Sequence, residues 1–106
     1  MKIDAQTLNL LKAFHKIGAR VTGSLATGNF RDDWSDIDLQ IPEKNWNAAK
    51  EIIRNSGLKW IDKGIGGSIG TKDTSVMLDV SYLFDHTPKD SRFDTVTIEG
   101  IKFQTW

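Results

Sequence analysis

Residues 35–41 read SDIDLQI. From residue 36 on the alternation is strict: Ile37, Leu39 and Ile41 fall on one side and Asp36, Asp38 and Gln40 on the other, the period of a half-buried strand. Asp36 and Asp38 therefore project from one face, with their Cα atoms roughly 6.5 Å apart. Two unit charges at about 6 Å in an effective dielectric near 20 repel by about 3 kcal/mol, so a strand holding both ionised invites a cation between them. Hard divalent ions take oxygen ligands, and magnesium combines one or two carboxylates with phosphate oxygens and water. A plainer reading is a solvent-facing strand kept soluble by its aspartates. Aspartate is nonetheless depleted in strands, and a third one, Asp79, interrupts the β-prone run SVMLDVSYLF at residues 75–84. Buried without a partner it would be costly.

Toward the N-terminus, Ala19–Thr22 is a short strand candidate that ends at Gly23-Ser24. Ser24 is placed to cap a short helix that Gly28 closes. Glycine permits close backbone approach, and the amides and hydroxyl of such a turn are donors suited to phosphate. An isolated Gly-Ser pair is ordinarily only a capped turn. Here a short helix and loop are all that separate it from the acidic strand, so both can line one cleft. Before it, Leu8, Leu10, Leu11, Phe14 and Ile17 follow helical spacing from Asp4 to Ile17, and Gly18 stands at the C-terminal glycine position.

Toward the C-terminus, Pro42 is expected to begin a helix whose buried stripe is Trp46, Ala49, Ile52 and Ile53, stopped by Ser56-Gly57. Leu58–Asp62 reads as a strand. KGIGGSIG at residues 63–70 reads as a flexible loop, with an irregular strand as the alternative, and it lacks the Rossmann glycine spacing. Residues 86–92 form a loop, and TVTIEGIKFQTW a final hairpin turning at Glu99-Gly100. Helices and strands thus mix along the chain without a repeat.

The length of 106 residues allows one domain spanning 1–106. Fourteen basic residues balance fourteen acidic ones, which argues against a broad phosphate-backbone grip and makes nucleic acid an unlikely partner. The absence of cysteine excludes disulfides, thiolate zinc sites and a cysteine nucleophile, and fits a reducing compartment, so a cytoplasmic location is expected. Asp4, Gln6, Asn9 and Lys12 interrupt any signal-peptide core, and no run of 18 apolar residues suggests a membrane span.

GSLATG (23–28), SDIDL (35–39) and LDV (78–80) together resemble the nucleotidyltransferase superfamily of DNA polymerase β type, and most of all the minimal nucleotidyltransferases. Eleven residues separate Ser24 from Asp36, within the usual range of that pattern. The resemblance implies an α+β, nucleotidyltransferase-like fold with a small mixed β-sheet flanked by helices, two Mg2+ ions, and transfer of a nucleoside monophosphate, AMP being expected, from a nucleoside triphosphate such as ATP to a hydroxyl acceptor. It implies that Asp36, Asp38 and Asp79 bind metal and carry catalysis, and that Gly23 and Ser24 hold triphosphate oxygens. Relatives usually continue into a further helix or helical domain, whereas this sequence ends at Trp106. A partner subunit, a homodimer neighbour or a protein acceptor is the expected complement, as in antitoxins that modify a helical toxin. The rival expectation is a catalytically silent nucleotide-binding or protein-interaction module.

Lys63, Lys72 and Arg31 are further candidates to neutralise triphosphate charge, although solvated surface charge is the commoner role. Trp34 is more simply a loop anchor than a base-stacking residue. Neither His15 nor His86 has a partner that suggests metal or nucleophilic chemistry.

Overall fold

In the computed structural model the described residues are 3–29, 36–64, 66–70, 78–83 and 91–106. The elements run α1 (Ala5–Lys16), β1 (Arg20–Thr22), α2 (Gly23–Thr27), β2 (Ile37–Pro42), a 3-10 turn (Glu43–Asn45), α3 (Trp46–Ser56), β3 (Lys59–Asp62), β4 (Gly66–Gly70), β5 (Leu78–Leu83), β6 (Thr95–Ile98) and β7 (Ile101–Thr105). Arg31, Trp34, Lys72 and His86 lie outside the described residues.

Helix α1 starts where Asp4 Oδ1 accepts the Thr7 N–H at 2.7 Å, satisfying a donor that the first turn leaves unpaired. Its buried face is Thr7, Leu10, Leu11 and Phe14; Leu8, expected in that stripe, is only half-buried, because the i, i+3, i+4, i+7 set facing the sheet starts at Thr7. Gly18, at φ 86°, ends the helix, and Asn45 Nδ2 donates to Ile17 O at 2.7 Å. That bond ties the helix end to the 3-10 turn. His15 joins the helix to the sheet, its Nε2 donating to Lys102 O at 2.9 Å while its ring stands edge-on to Phe103.

The strands form one mixed seven-stranded sheet in the order β3-β4-β5-β2-β1-β7-β6. β2 runs parallel to β5 and antiparallel to β1, and β1 runs parallel to β7. Across the sheet Val21 faces Leu39, which faces Val80, and Ile37 faces Leu78, which faces Ile69. All six are buried, and they join Leu11, Phe14, Ala49 and Ile53 of α1 and α3 in the core. The apolar half of the alternation thus turns toward the helices, and the polar half is left on the opposite face. At the end of the sheet Glu99 and Gly100 both take positive φ (48° and 80°), as a tight two-residue hairpin requires.

Three local expectations are corrected. Pro42 ends β2 and caps the 3-10 turn, so α3 starts only at Trp46. β1 pairs with β2 only from Asp38 to Gln40, so on that side no ladder partner is deprived of the missing N–H. α2 begins at Gly23, which leaves Thr22 at the cap position and puts Ser24 inside the first turn. Residues 66–70 are strand β4, held between β3 and β5, where a loop was expected. The glycines suit it: a Cβ on Gly66 would lie 2.2 Å from Val80 O, and one on Gly67 2.2 Å from Ile61 O.

Candidate active site

The second and third aspartates of the pattern meet through register. Asp38 of β2 stands opposite Asp79 of the neighbouring parallel strand β5. The same row continues to Thr22 on β1 and to Ser68 on β4, so four polar side chains of four strands share one level of the sheet. A cavity of about 260 Å³ opens beside them, lined by Thr22, Asp38, Lys63, Gly66, Asp79 and Ser81 among others. It falls just short of the usual size of a small-molecule site, so a ligand as large as a nucleotide would extend beyond it. A larger cavity of about 410 Å³ between α3 and the β3–β4 edge, with Trp46, Lys50, Arg54, Trp60 and Asp62 in its wall, contains no carboxylate pair.

Gly23 sits directly against this row. Its φ is 69°, and a Cβ on it would lie 2.0 Å from Asp38 Oδ2. Any side chain at this position displaces that carboxylate, so the turn and the acidic strand form a single unit. Ser24 follows in the first turn of α2, and Gly28 closes the helix at φ 86°.

Asp79 is anchored from the β3–β4 side. Ser68, almost fully buried, donates its hydroxyl to Asp79 Oδ1, and Lys63 Nζ lies 3.6 Å from the same oxygen. Burial, first, and then the charge and hydrogen bonding of Asp79 and the charge of Asp36 push the Asp38 carboxyl up to about 7, with Lys63 acting in the opposite direction. An acid in that position holds a proton or calls for a cation.

Asp36 occupies the residue before β2, half-buried, and its charge is felt at Asp38. Among the described residues no three His, Cys, Asp or Glu side chains are gathered closely enough to hold a metal. The structure therefore brings Asp38 and Asp79 together beside Gly23, with Asp36 two residues before Asp38 and acting on it by charge, and Ser24 next to Gly23 in the first turn of α2. A divalent cation fits the residues present: the donors are hard carboxylate oxygens, and burial together with the neighbouring Asp79 raises the Asp38 carboxyl from 3.8 to about 7.

Two contributors are hard to see in the sequence alone. Ser68 is hidden in a glycine-rich run that reads as a loop, and Lys63 reads first as surface charge. Pairing that run with the Asp79 strand exposes both.

Two carboxylates of neighbouring strands thus stand in one sheet row against a glycine turn. The chain belongs to the nucleotidyltransferase domain family, whose model matches residues 5–102, a span that includes Gly23, Ser24, Asp36, Asp38 and Asp79. The fold is similar to that in the crystal structure of ANT(2")-Ia in complex with adenylyl-2"-tobramycin, with a TM-score of 0.56 and 16% identity over 95% of this chain and 69% of that chain. No curated protein sequence matches the chain. Among the described residues no helix is long and apolar enough to cross a membrane.

Proposed function

We propose that the protein transfers AMP from ATP to a hydroxyl acceptor, with Asp36, Asp38 and Asp79 holding two magnesium ions and Gly23 and Ser24 binding triphosphate oxygens. The observation that carries this reading is the in-register pairing of Asp38 and Asp79 against Gly23. The acceptor oxygen forms a bond to the α-phosphorus, the bridging bond to the β-phosphate breaks, and pyrophosphate leaves with the electron pair. The hydroxyl proton passes to the carboxylate pair and then to solvent. Bound magnesium would supply charge neutralisation and polarise the acceptor oxygen. The residues of this chain contribute position and charge: Ser68 fixes Asp79, Gly23 admits Asp38, and the fixed carboxylates spend little reorganisation during reaction.

The family resemblance favours a side-chain hydroxyl of a partner protein as acceptor. The adenylyl-tobramycin in the similar structure adds aminoglycoside hydroxyls to the set to be tried. The test incubates the protein with α-labelled ATP, magnesium and each acceptor class, with Asp38→Asn and Asp79→Asn as controls. Label transfer by the wild type and its loss in both variants is the expected result. Magnesium-dependent binding of ATP without transfer to any acceptor would replace this reading with that of a silent nucleotide-binding module.

A further inference from the structure

Lys63 follows the last residue of β3, and its backbone is held on both sides. Its N–H donates to Gly66 O at 2.7 Å, and the next amide, Gly64 N–H, donates to Asp62 Oδ1 at 2.8 Å. Gly66 lies so close to β5 that a Cβ there would meet Val80 O at 2.2 Å, so the turn is pressed against the strand that carries Asp79. The Lys63 side chain is different: it is 59% exposed, and its ammonium meets Asp79 Oδ1 at 3.6 Å, too far for a hydrogen bond. One carboxylate oxygen is thus served by a buried, fixed hydroxyl from Ser68 and by a loose cation. So long and exposed an ion pair is weak, and the flexible four-carbon stem lets the ammonium leave without moving the backbone.

We propose that Lys63 is the resident counter-ion of the Asp38–Asp79 pair, displaced when a divalent cation binds and then pairing with the triphosphate of the incoming nucleotide. This role rests on the nucleotide-transfer reading above. Two cations on one carboxylate oxygen repel, so a metal that takes Asp79 Oδ1 weakens the hold of that oxygen on the ammonium. Lys63 also lines the cavity shared by both aspartates, so a polyanion entering that cavity is the counter-charge nearest to hand. The exchange is ionic throughout, and no covalent bond to the lysine forms or breaks.

The experiment titrates the wild type, Lys63→Gln and Lys63→Arg by calorimetry, first with Mg2+ alone and then with a non-hydrolysable ATP analogue at saturating Mg2+. Lys63→Gln is expected to bind Mg2+ several-fold tighter, having lost its competitor. It should bind the analogue about tenfold more weakly, the loss of one charge-assisted contact. Lys63→Arg should restore analogue affinity. Two affinities that fall together would mean a structural role, two that stay unchanged would mean a solvated surface lysine, and either overturns the proposal. A wild type that binds neither ligand would overturn the nucleotide-transfer reading itself, an outcome visible before any variant is measured.

Discussion

A Cβ on Gly23 would overlap Asp38 Oδ2 at 2.0 Å, so even alanine must push that carboxylate off the row it shares with Asp79. The φ of 69° adds roughly 1–2 kcal/mol for any L-residue held there. Gly23→Ala is therefore expected to lower the urea stability by about that amount and to remove divalent-cation binding in titration calorimetry. Undiminished binding would show that Asp38 does not depend on this glycine for its place. Asp38 itself carries a pH signature. Its carboxyl is raised from 3.8 to about 7 in the folded protein, so between those values the native state holds more protons than the unfolded chain. The stability of the cation-free protein is then greatest below pH 4 as far as this group is concerned, and declines as pH rises through 7. Urea midpoints collected from pH 4 to 8 should show that decline in the wild type, and a shallower one in Asp38→Asn, which cannot ionise. Equal slopes in the two proteins would assign the pH dependence to other groups.

Among the elements, β2 and β4 show what a sequence does and does not disclose. The alternation at 36–41 is legible because each apolar residue has a polar neighbour, and the structure buries Ile37, Leu39 and Ile41 as that pattern requires. β4 has three glycines among its five residues, Gly66–Gly70, so there is almost no side-chain period to read and the composition argues against a strand. What makes it a strand is tertiary: Gly67 leaves room for the Trp60 ring, which a Cβ would approach to 2.6 Å, and Gly66 lets β5 come close. Pro42 misleads for a related reason, since its value as a helix starter is local while its place at the end of β2 is decided by which strands flank it. The same tertiary pairing makes Ser68 a positioning residue for Asp79. Ser68→Ala removes a buried hydroxyl that donates to a carboxylate, a change worth about 1.5–3 kcal/mol. The variant is expected to melt cooperatively at a lower temperature and to bind Mg2+ more weakly, with Ser68→Thr restoring part of both. A variant with wild-type Mg2+ affinity would confine Ser68 to a structural role.

At the scale of the molecule, the site exists only because distant stretches of chain are brought side by side. β2 and β5 are neighbours and parallel, yet residues 43–77 lie between them in sequence, and Gly23 arrives from the far side through β1. The unfolded chain therefore offers no assembled carboxylate pair, and a ligand of that pair binds the native state almost exclusively. Such a ligand stabilises by about 2.7 kcal/mol at a hundred times its dissociation constant. For a chain of this size each kcal/mol moves the melting temperature by roughly 4–8 °C, so a shift on the order of 10–20 °C is expected when Mg2+ and a non-hydrolysable ATP analogue are both present at that excess. Mg2+ alone should give a smaller rise, the analogue with EDTA almost none, and Asp79→Asn should abolish the joint effect, because in the proposed function Asp79 is one of the residues that hold the cation. A full shift from the analogue in EDTA would place the nucleotide somewhere other than the Asp38–Asp79 row.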